Sequence, residues 1–335
     1  MATLRTVYVD PDVSGGAGNG SSWANAYSSL NAAEQAQDDT GDLVTRDEYI
    51  EFHCGHNGSA QTTADTTAVD VNGWTTNATH YILIKTETAD RHTGRYCDGN
   101  NGTTARYRLA VSGAPFLISY VEDVRLDGLQ IVKTASTADH QCVVQVTSFV
   151  GYANVWVSNC ILKGSGNASY IETGLLNNDA HGTVRAWNTV IYGVSTYDSA
   201  FCCGVNNGGS IYLYSCTIIG GTYGIRTVGT TIVAKNCYVG GSRTEDYYRG
   251  SGTLVKTNCA SEDQSADDTS GTDETATNCV AAAVAINTTN FTNVTAGSED
   301  FSLPAGSALI GAGTDTSGDA APLNFTTDII GTTRS

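Results

Sequence analysis

Carboxylates near the longer loops are the side chains best suited to catalysis in this 335-residue chain. Cleavage of a glycosidic bond needs two carboxyl groups about 5 Å or about 6.5–9.5 Å apart. The acids near these loops are Glu122, Asp123, Asp127, Glu172, Asp179 and Asp198, and His181 lies near them in the sequence. Glu172, Asp179 and Asp198 are the weak catalytic candidates. We assign no catalytic residue, because scattered carboxylates in so acidic a chain are mostly solvated charge.

Metal-capable side chains occur together at His53, Cys54 and His56. Strand alternation points His53 and Cys54 to opposite faces, which disfavours a shared ion. We therefore predict a buried cysteine and surface histidines. The sequence leaves open whether Cys97 pairs with Cys54 or completes a site.

Two further groups contain side chains that could take part in redox chemistry or bind a cation. Cys202 and Cys203 are adjacent and either redox-active or packed, and we favour packing. The acidic loop 261–277 contains Asp267, Asp268 and Asp273 but lacks the spacing of a Ca²⁺-binding loop, which favours a disordered or solvated loop. We predict no metal and no cofactor.

The charge of the chain excludes some partners. It carries 34 acidic against 17 basic residues, a formal net charge of −17. Nucleic acid and anionic membranes would repel such a surface. No apolar window is long enough to span a bilayer, and the first residues, MATLRTVYVDPD, do not resemble a signal peptide.

A repeat dominates the chain from Val124 onward. The aligned segments are VRLDGLQI, VWVSNCIL, VRAWNTVI, IYLYSCTI, IVAKNCYV, LVKTNCAS and ETATNCVA. One column contains Gly128, Asn159, Asn188, Ser215, Asn236, Asn258 and Asn278, spaced by 31, 29, 27, 21, 22 and 20 residues. The next column contains Leu129, Cys160, Thr189, Cys216, Cys237, Cys259 and Cys279. This period is typical of a solenoid.

Both columns have a physical explanation. Asn and Gly tolerate a left-handed backbone, which suits a sharp corner between strands, and stacked Asn side chains can hydrogen-bond to one another. Alternation with apolar residues directs the cysteines to the axis, where free Cys acts as a small apolar side chain. Adjacent parallel strands rarely allow good disulfide geometry, so we predict reduced cysteines.

These patterns predict an all-β, single-stranded, right-handed parallel β-helix with a short N-terminal capping helix and a C-terminal cap. The chain is interpreted as one domain: 1–45 holds the first strand, a Gly-rich loop and a helix over 23–37; 46–285 holds the coils; 286–335 is the cap. Earlier coil strands are predicted at 47–54, 81–85 and 107–111. The longer loops 163–182 and 195–210 form either a working face or passive decoration.

Four aromatic residues are expected on the outward alternation of the repeat. They are Trp156, Tyr212, Tyr214 and Tyr238. Such a stripe either stacks on sugar rings or packs against a neighbouring subunit.

Two segments resemble known proteins. YVDPDVSGGAGNGSSWANAYSSLNAA (8–33) resembles the opening of right-handed parallel β-helix repeat proteins, and FSLPAGSALIGAGTD with TTDIIGTTR (301–315 and 326–334) resembles their closing segment. Compact versions with similar N-termini look like virion-associated proteins of tailed bacteriophages. The resemblance implies the fold; this fold serves many functions.

The resulting expectation is a non-enzymatic structural protein of a phage particle, on the head or the tail, that acts by rigid docking and display. Its partners would be other virion proteins, with self-association as an open point, and its location the virion. The alternatives are a tailspike-like polysaccharide depolymerase and a glycan-binding adhesin.

Overall fold

Strands make up most of the regular structure of the computed structural model. The described residues are 2–38, 41–100, 102–147, 152–199, 202–270 and 272–334. The strands are β1 (Thr3–Val9), β2 (Glu48–Cys54), β3 (Val69–Val71), β4 (Ile82–Thr86), β5 (Leu109–Ser112), β6 (Phe116–Ser119), β7 (Asp123–Asp127), β8 (Gln130–Ala135), β9 (Gln141–Thr147), β10 (Asn154–Ser158), β11 (Ile161–Lys163), β12 (Glu172–Asn177), β13 (Thr183–Trp187), β14 (Val190–Val194), β15 (Cys203–Asn207), β16 (Ser210–Tyr214), β17 (Thr217–Gly220), β18 (Tyr223–Thr227), β19 (Thr231–Lys235), β20 (Tyr238–Gly240), β21 (Glu245–Arg249), β22 (Thr253–Thr257), β23 (Ala260–Ser261) and β24 (Glu274–Thr277).

These strands form three sheets in which all strand pairs are parallel. A ten-stranded sheet has the order β1-β2-β4-β7-β10-β13-β16-β19-β22-β24, and the two seven-stranded sheets have the orders β5-β8-β11-β14-β17-β20-β23 and β3-β6-β9-β12-β15-β18-β21. From β4 to β23, successive strands visit the three sheets in turn, so each of these coils adds one strand to each sheet. The fold is therefore a parallel β-helix, as the repeat predicts.

The corner between the ten-stranded sheet and the β5–β23 sheet is formed by the repeat column. All seven column residues have positive φ, from 51° at Asn188 to 73° at Gly128. Because this left-handed backbone costs other L-residues roughly 1–2 kcal/mol, Asn and Gly predominate there. Only Asn159 and Asn188 of the column join side chain to side chain, at 3.1 Å.

The N-terminal helix begins later than predicted. A short 3₁₀ turn covers Trp23–Asn25, and α1 runs from Leu30 to Asp38. The intervening Tyr27 instead pairs with the first strand, since its N–H donates to the Tyr8 carbonyl at 2.9 Å. Asp65 then accepts the Leu30 N–H at 2.6 Å, which starts the helix. A second short helix, α2, spans Leu43–Arg46.

The axis of the helix is filled by stacked apolar side chains. One inward column in register contains Phe52, Ile84, Leu126, Val157, Ala186, Leu213 and Ala234. All are fully buried, and each large one contributes roughly 1.5–3 kcal/mol. A single apolar cluster runs from Val7 to Ala266. The domain boundaries given above stay a prediction.

The chain after β24 returns along the outside of the coils. Phe291 packs on Tyr238, with ring centroids 5.0 Å apart. Residues 301–334, here called the C-terminal strap, then follow the corner column back from the last coils. Asn258 donates to the Ala312 carbonyl and Asn188 to the Thr327 carbonyl. The segment thus covers the side of the helix as well as its final coils.

Candidate functional site

Glu172 is a structural residue in the interior. Its side chain and that of Lys133 are completely buried, and the Glu172 Oε1 to Lys133 Nζ distance is 3.3 Å. The carboxylate also accepts the N–H groups of Ser165 and Ser195, each at 2.9 Å. Glu172 therefore has no surface to offer a substrate.

Asp179 and Asp198 do not combine into a carboxyl pair. Asp179 is 2% exposed and accepts the N–H groups of Ala153 and His181, so it shapes a corner. Asp198 is 78% exposed in its side chain and pairs with Arg243 at 3.2 Å. One acid is buried in backbone contacts and the other is solvated, which leaves no acid–base pair among the three candidates.

The acids nearer the repeat also have internal partners. Asp123 accepts from Asn154 Nδ2 at 2.7 Å, and its pKa is raised by burial. Asp127 accepts from Asn159 Nδ2 at 2.7 Å and forms an ion pair with Arg91.

The predicted aromatic stripe is divided between two sheets. Trp156, Tyr212 and Tyr214 lie half-buried on the outer face of the ten-stranded sheet. Tyr238 instead begins β20 in a seven-stranded sheet and is only 4% exposed. Its hydroxyl donates to the Val284 carbonyl at 2.7 Å. The C-terminal segment covers this tyrosine, so it does not belong to an exposed stripe.

Arginines alternate with aromatic rings on the outer face of the ten-stranded sheet. The members of this arginine–aromatic row are Tyr81, Arg125, Trp156, Arg185 and Tyr212, and the last four are in register on adjacent strands. The Arg125 guanidinium lies 3.3 Å from the Tyr81 ring centroid and 4.0 Å from that of Trp156, while Arg185 lies 5.6 Å from Tyr212. Cation–π attraction holds the row together.

Arginine side chains of the row cover aromatic ring faces on which a sugar would have to stack. Arg125 lies between two rings, so a face of Tyr81 and a face of Trp156 are already covered. Asn154 accepts from Arg185 Nη1 at 2.6 Å, which holds that guanidinium in place. Since stacking on a sugar requires a free ring face, this arrangement favours internal stabilisation over glycan stacking.

An acid–base cluster occupies the same face in the first coils. His53 contacts Glu51 and Glu87, each at 2.8 Å, and Lys85 contacts them at 2.8 and 3.4 Å. Lys85 and His53 lower the pKa of Glu51 against the effect of its burial. A carboxylate whose pKa is lowered by hydrogen bonds from Lys85 and His53 is a poor general acid, so the cluster serves as a hydrogen-bond network around the ion pairs of Lys85.

The metal-capable group separates as strand alternation predicts. Cys54 is fully buried, His53 lies on the outer face, and His56 Nδ1 contacts Asp10 at 2.7 Å. All ten cysteines are free thiols. Cys97, Cys202 and Cys203 are buried, as packed cysteines would be.

The acidic loop is organised around a lysine whose role was not predicted from the sequence. Lys256 points inward, is fully buried, and its Nζ lies 2.6 Å from Glu274 Oε1. It also donates to the carbonyls of Ser265 and Asp268 at 2.7 Å. Asp267, Asp268 and Asp273 are themselves exposed, so Lys256 anchors the backbone of the loop while these acids face solvent. The repeat segment LVKTNCAS could have identified this residue, because side-chain alternation along the strand points Lys256 inward.

Two buried carboxyls make stability depend on pH. Burial raises the pKa of Glu34 to about 7, although hydrogen bonds from Trp74 and Asn72 lower it. Burial likewise raises the pKa of Asp246 to about 7. The folded protein therefore holds more protons than the unfolded chain between about pH 4.5 and 7, and stability falls as pH rises through this window.

We accordingly expect a higher urea midpoint at about pH 5.5 than at about pH 8. The double variant Glu34→Gln, Asp246→Asn should lose most of this difference, because neither amide titrates. An unchanged pH dependence in the double variant would contradict the assignment to these two carboxyls.

Fold and surface together define the class to which the chain belongs, the parallel β-helix proteins. No protein-family model matches the chain, and no curated protein matches it. Among the described residues, no helix is long and apolar enough to cross a bilayer.

Proposed function

We propose that this protein is a non-enzymatic structural component of a phage particle, docked on the head or tail, which acts as a rigid rod that displays its outer surface. The observation that carries the proposal is that the side chains suited to chemistry are occupied by internal contacts. Glu172 neutralises Lys133, Asp179 binds backbone N–H groups, and Arg125 covers Trp156. The phage setting rests on the resemblance of the N-terminus to those of compact tailed-bacteriophage proteins, beside the resemblance of residues 8–33, 301–315 and 326–334 to β-helix repeat proteins.

Rigidity follows from the same contacts. Parallel strands in continuous register connect the coils, and one apolar cluster fills the axis. The C-terminal strap ties several coils together from outside through Asn188, Asn236 and Asn258. A body with these links transmits load without a hinge, which suits display on a particle.

The test is association with particles. Phage particles that carry the gene for this chain are purified on a density gradient, washed at high salt, and the bound protein is quantified and located by immunogold labelling. We expect a constant copy number per particle at one position on the virion. Absence of the protein from washed particles would overturn the proposal.

A second assay separates display from glycan chemistry. Purified protein is incubated with host capsule or lipopolysaccharide, beside the variants Asp198→Asn and Trp156→Ala. We expect neither oligosaccharide release nor saturable binding. Release that Asp198→Asn abolishes would establish a depolymerase, and binding without release that Trp156→Ala abolishes would establish an adhesin; either result contradicts a purely structural role.

A further inference from the structure

A groove with a volume of about 1030 Å³ lies between the C-terminal strap and the coils. Its floor includes the first residues of four neighbouring strands, which are in register from coil to coil: Val190, Thr217, Tyr238 and Ala260. The strap supplies most of the other lining residues. Because parallel strands lie about 4.8 Å apart, this floor extends roughly 14 Å along the axis. That length matches about four residues of an extended chain.

Exposed aliphatic side chains are concentrated at this groove. Five large aliphatic side chains are exposed in the described part of the chain, and three of them line the groove: Leu303, Ile310 and Ile330. Val190 and Ile329 line it as well. Clustered apolar side chains that face water are typical of a surface that a partner covers.

The aromatic rings that line the groove already have ring partners. The pairs, with centroids at most 6.4 Å apart, are Phe325 with Trp187, Phe301 with Tyr192 and Tyr238 with Phe291. The Arg334 guanidinium also lies 5.5 Å from the Phe325 ring centroid. Since a sugar stacks on a free ring face, the groove suits aliphatic side chains better than saccharide rings.

The strap also brings unpaired main-chain groups to the groove. Gly311 and Gly313 line it and are exposed, and their N–H groups form no hydrogen bond within the described residues. An extended peptide is recognised by main-chain hydrogen bonds together with apolar contacts to its side chains. The groove offers both kinds of contact, so a polypeptide segment fits it.

The charge around the groove favours a basic partner. Asp315 and Asp328 line it. Arg334, the one basic residue among the described lining residues, donates to Asn188 Oδ1 at 2.6 Å and to the Thr327 carbonyl at 3.0 Å. The whole chain has a formal net charge of −17. Opposite charge on a partner would steer it to this surface.

From these features we propose that the groove between the C-terminal strap and the coils is the docking site for an extended segment of another particle protein, with aliphatic side chains and neighbouring Lys or Arg residues. This inference rests on the proposed function and specifies the contact by which the rod is held. Leu303 and Ile310 contact the aliphatic side chains of the segment, and Asp315 and Asp328 lie near its basic residues.

The experiment measures docking on particles. Phage particles from which the gene for this chain has been deleted are incubated with increasing amounts of purified chain and separated on a density gradient, and the bound chain is quantified. Leu303→Asp and Ile310→Asp should each weaken binding by at least about 10-fold, because docking would bury a carboxylate against apolar side chains. Leu4→Asp is the matched control and should bind like the native chain. Leu4 and Leu303 are each 44% exposed, but Leu4 lies on β1 in the first coil.

Circular dichroism and the urea midpoint show whether each variant is folded. If Leu303→Asp or Ile310→Asp does not fold, Ile330→Asp replaces it and should likewise weaken binding. Failure of the native chain to bind particles would overturn the proposed function and this inference together. If the native chain binds and the groove variants bind equally well, or if Leu4→Asp weakens binding as much as they do, only the docking site is wrong.

A photo-cross-link identifies the occupant. The chain is prepared with p-benzoylphenylalanine in place of Ile310, docked on the particles and irradiated, and the products are analysed by mass spectrometry. We expect one cross-linked segment from another particle protein, rich in aliphatic and basic residues. A cross-link to a second copy of this chain, to lipid or to glycan would overturn the proposal.

Discussion

Replacing Glu172 by glutamine is expected to lower the free energy of unfolding by about 3–5 kcal/mol, because a charged Lys133 would remain in the interior without its counter-ion. Burial already lowers the pKa of Lys133, and the Glu172 carboxylate opposes this effect. Without the carboxylate, the folded state must either bury an unpaired ammonium group or deprotonate it. Urea unfolding followed by circular dichroism measures the loss.

Two controls distinguish this loss from ordinary mutational cost. Asp198→Asn removes an exposed acid and should change stability by less than about 0.5 kcal/mol. The double variant Lys133→Met, Glu172→Gln removes both charges, keeps an amide oxygen as acceptor, and should recover much of the stability lost by Glu172→Gln. If Glu172→Gln is as stable as the native protein, the pair does not hold the coils together.

The second large effect concerns the corner where the strap attaches. Asn236 has a φ of 56°, donates to the Thr314 carbonyl at 2.7 Å and accepts the Thr314 N–H at 2.9 Å. Asn236→Val should cost about 3–4 kcal/mol, since a β-branched residue strains the left-handed backbone and both strap bonds are lost. Asn236→Gly should cost only about 1–3 kcal/mol, because glycine keeps the backbone and loses only the bonds.

Asn278 provides the matched comparison. It has nearly the same φ, 52°, but it is exposed in the last coil. Asn278→Gly should therefore be nearly neutral, and hydrogen exchange of residues 312–334 should accelerate only in the Asn236 variants. Equal effects of glycine at both positions would show that the strap bonds contribute little.

Much of the architecture could be predicted because every coil of a solenoid imposes the same structural requirements, so matching residues recur along the sequence. The corner requires a left-handed residue once per coil, so Asn159, Asn236 and Asn258 recur at that interval. The next residue faces a narrow axis, so Cys160 and Cys237 recur beside them. Each requirement concerns one or two residues and recurs in every coil, so it can be recognised from the sequence alone.

The candidate site was less predictable. Alternation identified Trp156 and Tyr212 as outward-facing residues, and the aligned repeats place Arg125 and Arg185 in the same column. The sequence does not show that Arg125 also contacts Tyr81, which lies before the repeat, or how closely the guanidinium groups approach the rings. Those contacts depend on side-chain conformations that no periodic pattern specifies.

The sequence by itself determined the parallel β-helix, its corner residues and the inward direction of the cysteines that follow those corners. Only the tertiary structure decided that Glu172 faces Lys133, that the C-terminal segment covers Tyr238, and that the strap binds Asn188 and Asn236. The physical reason is the separation in sequence of the residues that interact. Corner strain and side-chain alternation act on neighbouring residues, whereas these contacts join residues far apart in the chain that leave no periodic trace.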